Sequence, residues 1–74
     1  MVIYRGYAKE ALKLLCLEAF NNGVDKLYDS FEKDRISALN IFLSVGFKIE
    51  KEVTWKKFGK TVEGVIVSLE KKFF

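Results

Sequence analysis

The stretch Asp34-Arg35-Ile36-Ser37-Ala38-Leu39-Asn40-Ile41-Phe42-Leu43-Ser44-Val45-Gly46-Phe47-Lys48 decides how the chain is read. Ile36, Ala38, Leu39, Ile41, Phe42, Leu43 and Val45 put apolar side chains nearly all round a short helix. Asp34 stands before it as an N-cap acceptor for backbone N–H groups, and Gly46 follows as a stop. A helix this apolar is expected to be buried on more than one side. Gly46-Phe47 then opens a strand.

The surrounding punctuation comes from glycine, since the chain has five glycines and no proline. Between Gly6 and Gly23, Ala8, Ala11, Leu12, Leu15, Ala19 and Phe20 recur at helical spacing, while Lys9, Lys13 and Glu18 fall off that stripe. Asn22-Gly23 ends this helix, because glycine enters the left-handed region without steric cost. Over residues 24–31, Leu27, Asp29 and Phe31 alternate with Lys26, Tyr28 and Ser30, the period of a strand. Two more strands are expected over residues 47–55 and 61–71, with Lys56-Lys57-Phe58-Gly59-Lys60 as the hairpin connection. The order helix, strand, helix, strand, strand gives an α/β or α+β fold, two helices on a small mixed sheet. The link between residues 31 and 47 is short for a parallel crossover, so the pairing of its two strands stays open between parallel, splayed and antiparallel.

Composition narrows the chemistry. The 74 residues make one domain at most, near the lower limit for a fold without covalent staples. Cys16 is the only cysteine and there is no histidine, which excludes an internal disulfide, a Cys/His zinc cluster and imidazole catalysis. Half the residues are hydrophobic and 15% aromatic, more apolar side chain than a small monomer easily hides, and a homodimer is expected. The net charge of +3 is spread through mixed signs from Lys9 to Lys72, as on a solvated surface. No apolar run approaches the roughly 20 residues of a membrane span, no signal-peptide core is present, and a cytoplasmic setting is expected.

The segment of residues 32–48 resembles the second conserved region of the GNAT superfamily, the acyl-CoA-dependent N-acyltransferases. Glu32-Lys33-Asp34 supplies the lead-in, and Ala38, Ile41-Phe42 and Gly46-Phe47 fall on the family positions. Tyr4-Arg5-Gly6-Tyr7-Ala8-Lys9-Glu10-Ala11-Leu12 is similar to the acyl-CoA pyrophosphate loop and its helix, and Phe58-Gly59-Lys60 with the last strand resembles the closing hairpin. The resemblance implies the C-terminal half of the domain, a single truncated unit over residues 1–74. It also implies acetyl transfer from acetyl-CoA to a primary amine as the full reaction. The cofactor residues it implies are Arg5, Gly6, Tyr7 and Ala8. A glycine at a helix N-terminus admits a phosphate, free N–H groups point at it, and the helix dipole adds about half a positive charge.

Departures from the family pattern bear on catalysis. The family's N-terminal helices and first four strands are absent from this sequence, with residues 1–4 at most representing the end of a fourth strand. Ile3 stands where a Gln or Arg is usual, and a two-residue deletion would instead match Arg5. Arg35 replaces the Asn before the second helix and cannot accept a hydrogen bond. Phe42 replaces the tyrosine that protonates the departing thiolate, and has no proton to give. No catalytic residue is assigned. The alternative is a non-catalytic binding or assembly module that retains the scaffold.

Asp29 has two readings, a general base toward an amine or a charge that guards a sheet edge, and the second is favoured. Lys56, Lys57 and Lys60 with Trp55 and Phe58 make a basic, aromatic hairpin tip of the kind that contacts nucleic acid, but solubilising lysines are the favoured reading and no nucleic-acid partner is expected. Cys16 reads as an inert buried thiol. Phe73-Phe74 is a frayed end or a docking element.

Overall fold

The computed structural model describes the backbone of residues 5–74 and the side chains from Ala8 onward. The expectation for residues 1–4 lies outside the described residues. Helix α1 spans Arg5–Asn21, strand β1 Lys26–Glu32, helix α2 Ile36–Val45, strand β2 Lys48–Lys57 and strand β3 Lys60–Glu70. A 3-10 turn, Lys71–Phe73, follows β3. Type and order of the elements are those expected from the sequence.

The sheet has the order β1-β3-β2 and both of its pairings are antiparallel, so the class is α+β and the expected mixed sheet is corrected. β1 and β2 do run parallel to one another, but β3 lies between them. Strand composition explains the insertion. β3 carries Val62, Val65, Ile66, Val67 and Leu69 and gains ladder bonds and burial on both sides, whereas β2, with six charged residues among its ten, suits an edge. The link through α2 therefore steps over one strand, about 9.6 Å at ordinary strand spacing.

Val65, Val67 and Leu69 point from β3 toward the helices and close the core with Cys16 and Phe20 of α1 and with Phe47. Leu12, Leu27, Phe31, Leu39, Phe42 and Val45 pack around them, half-buried. At the end of α2, Gly46 at φ 121° donates to Leu43 O at 3.1 Å and Phe47 donates to Phe42 O at 3.1 Å, the paired bonds of a Schellman stop. The start of α2 differs from expectation. Arg35, not Asp34, is the N-cap, and no side chain caps the helix. Leu39 N–H bonds Arg35 O at 3.0 Å, which fixes the first helical turn one residue later.

Burial of α2 also departs from expectation, since none of its residues is fully buried and Ile36 remains 58% exposed. The described chain supplies one packing surface for this helix, made of α1 and the sheet. The β2–β3 turn is tighter than the five residues expected: Phe58 and Gly59, both at positive φ, form a two-residue type I′ connection.

Candidate functional site

Arg5, Gly6, Tyr7 and Ala8 form the first turn of α1, so the fold brings the four expected cofactor residues together in the backbone. Their N–H groups have no partner within the helix, which is the arrangement a phosphate accepts. Leu12, about 10 Å further along the axis, begins an apolar hollow of about 170 Å³ between α1, β1 and α2. Leu15, Cys16, Leu27, Tyr28, Asp29, Phe42 and Phe47 complete its lining. The first turn thus fits a phosphate group, but the hollow falls below the ~300 Å³ at which enclosed ligand sites begin. It borders the side of β1 that no strand pairs among the described residues. Larger concavities of about 690 and 740 Å³ are lined by loop and strand-end residues, mostly charged, and include no residue of α1.

Phe42 sits inside an aromatic cluster, its ring centroid 5.3 Å from that of Phe31 and 4.9 Å from that of Phe47. These are edge and tilted ring contacts typical of cores, and no proton donor occupies the position. Arg35 is exposed at the entry to α2 and makes no capping bond. Cys16 is 1% exposed, and burial pushes its thiol above the ordinary range, away from nucleophilic behaviour.

Asp29 is exposed, on the core side of β1, and its Oδ1 accepts the backbone N–H of Ser30 at 2.8 Å. Two flanking bonds settle which edge that N–H faces. Lys33 N–H donates to Glu63 O at 2.9 Å and Lys71 N–H to Asp25 O at 2.8 Å, so the odd-numbered residues of β1 bond β3. Lys26, Tyr28, Ser30 and Glu32 then direct their backbone groups to the edge that no strand pairs among the described residues. Asp29 satisfies one of those edge donors.

The outer face of the sheet carries a polar network that the sequence reading does not contain. A β-bulge between Ile49 and Lys51 turns Glu50 onto β3, where it accepts the Ser68 hydroxyl at 2.6 Å and pairs with Lys26 Nζ at 2.8 Å. The Lys26 bond, more than the Ser68 bond, holds the Glu50 carboxyl down at about 2, and the same ion pair raises the Lys26 ammonium. Nothing in residue order signals a bulge at Glu50. At the other end Lys57 Nζ bonds Glu32 at 3.0 Å, so one of the three hairpin lysines is committed within the fold. Phe58 at the tip is 95% exposed. Among the described residues no helix is long and apolar enough to cross a membrane.

Neither a family model nor a curated protein matches the sequence. Solved structures do. The chain is similar to a protein assigned as an acetyltransferase from Acinetobacter baylyi, with a TM-score of 0.81 at 15% identity over 93% of this chain and 40% of that one. It is similar to yncA of Salmonella typhimurium, assigned as an acetyltransferase and solved with its cofactor acetyl-CoA, with a TM-score of 0.76 at 20% identity over 84% of this chain and 37% of that one. A Vibrio cholerae protein assigned as a ribosomal-protein-serine acetyltransferase gives a TM-score of 0.76 at 25% identity over 89% of this chain and 40% of that one. The chain spans less than half the length of these three structures. It has the α+β fold of a part of the GNAT acetyltransferase domain.

Proposed function

We propose that the chain is the acetyl-CoA-binding portion of a GNAT-type N-acetyltransferase domain and does not complete acetyl transfer alone. The observation that supports binding is the fold likeness to yncA, which was solved with acetyl-CoA. Backbone N–H groups at Arg5, Gly6, Tyr7 and Ala8 would hold the pyrophosphate, with the α1 dipole favouring its charge. When bound, acetyl-CoA supplies an activated thioester for transfer to a primary amine. The chain's own residues supply less. Phe42 offers no proton to a thiolate, and the hollow beside Leu12 and Phe47 is too small to exclude water from a pantetheine arm.

Titration with acetyl-CoA, followed by backbone amide shifts, tests this reading. Saturable shifts at Gly6, Tyr7 and Ala8, without acetylated amine above the uncatalysed rate, are expected. Silence at those amides overturns it and favours the reading that the chain is an assembly module, for which the exposed leucines of α1 are the specific support.

A further inference from the structure

α1 turns Cys16 and Phe20 into the core, yet Leu14 on its opposite side is 66% exposed and Leu17, on the flank between Leu14 and Phe20, is 46% exposed. They belong to a seam. Glu10, Leu14, Leu17 and Asn21 recur at spacings of four, three and four, which keeps them on one line along the helix. Lys13 and Glu18 flank that line on its two sides, and Lys13 has only a loose 3.7 Å contact with Glu10. The chain exposes 5676 Å², whereas a compact monomer of its 8.6 kDa mass exposes about 4,700 Å². The difference, about 1,000 Å², is of the order of the roughly 800 Å² that each partner gives to a standard interface.

We propose that a second copy of this chain covers the outer face of α1, with the two α1 helices side by side and parallel about a twofold axis. In that arrangement Leu14 meets Leu14 of the second copy and Leu17 meets Leu17. The Asn21 side chains face each other, as a polar residue in such a seam does when it selects a parallel pair. Lys13 of each copy then faces Glu18 of the other, five residues on, so both flanks carry opposite charges. An antiparallel pair loses this match, because it sets the Lys13 flank against the Lys13 flank and the Glu18 flank against the Glu18 flank. The surface stands apart from the first turn of α1, so the inference is independent of cofactor binding.

Sedimentation velocity from low-micromolar to submillimolar concentration reads the association, with circular dichroism confirming the fold of each variant. Wild-type protein is expected to dimerise in that range, and Leu14→Asp to weaken the dimer by roughly a hundredfold, since two leucines leave the interface together. Lys13→Glu and Glu18→Lys are each expected to weaken it several-fold, and the double reversal to restore it. Leu14→Cys, at the twofold axis, should form a disulfide-linked dimer under mild oxidant while the wild type, with Cys16 buried, does not. A wild-type chain that stays monomeric to submillimolar concentration overturns the proposal. So does a dimer indifferent to Leu14→Asp, or one whose double charge reversal is no tighter than the single ones.

Discussion

Asp29 and Ser30 are bonded to one another at the β1 edge of the sheet, which no strand pairs among the described residues: the Asp29 carboxylate accepts the Ser30 backbone N–H at 2.8 Å. That N–H is among those β1 turns away from β3. An exposed edge with open donors and acceptors is a template for strand addition, and a side chain that occupies a donor closes part of it. Asp29→Val removes the charge and the acceptor together while adding a strand-forming side chain. We expect it to increase light scattering on incubation at moderate temperature with little change in the unfolding midpoint. Asp29→Asn keeps an acceptor oxygen and should scatter less than the valine variant. Equal behaviour of the three proteins would remove the edge role.

The bulge at Glu50 makes a second prediction, on acid stability. The carboxyl lies near 2 in the folded protein against 4.5 ordinarily, because Lys26 and then Ser68 bond its ionised form. A depressed acid group contributes stability above its unfolded value and loses it as pH falls toward its folded value. The wild type should therefore be flat in stability through neutral pH and lose the Glu50 contribution between about pH 4.5 and about pH 2. Glu50→Gln should be less stable at pH 7 and show a shallower decline over that interval, measured by urea unfolding at a series of pH values. The raised Lys26 ammonium acts in the opposite sense, present below its ordinary value and lost only in strong alkali.

How much of this was legible in residue order differs from element to element. The stop at Gly46 was legible because one glycine at φ 121° and the two bonds around it are local. The start was not, because Asp34 and Arg35 compete for one capping position and tertiary placement of the turn decided for Arg35. Strand content was visible in alternation. The position of β3 between β1 and β2 depends on which strand gains most from two neighbours, a comparison among distant segments. That Arg5, Gly6, Tyr7 and Ala8 share the first turn of a helix was readable from glycine punctuation, whereas Glu50, Ser68 and Lys26 meet only through a bulge.

Phe58 supplies a third prediction. It has φ 51° at the first position of a type I′ turn, where asparagine or glycine is at ease and a bulky residue is strained, and its 95% exposure returns no packing. Phe58→Asn is expected to stabilise the protein by about 0.5–1 kcal/mol, which raises the melting midpoint by roughly 3–6 °C in a domain of this size. Differential scanning calorimetry reads it directly. A lower midpoint would mean that the ring holds the hairpin by contacts the turn geometry does not reveal.

Gly64 carries the last prediction. It lies in the middle of β3, where a glycine ordinarily weakens a strand, and it is fully enclosed. Trp55 is one step diagonally across on β2, and a Cβ built on Gly64 would clash with Cζ3 and Cη2 of its six-membered ring and lie 2.9 Å from the carbonyl oxygen of Phe31. The absence of a side chain at Gly64 is what lets the indole approach the β3 backbone this closely. Gly64→Ala should cost about 1–3 kcal/mol in urea unfolding, since either the ring or the β1–β3 spacing must give way. Trp55→Val should also destabilise, by the loss of ring burial. The two residues share one contact, so their effects should not add. With the ring gone, the alanine meets only the Phe31 carbonyl, and Gly64→Ala should cost less in the Trp55→Val background than alone. A fully additive double mutant would show that Phe31, and not Trp55, sets the requirement for glycine.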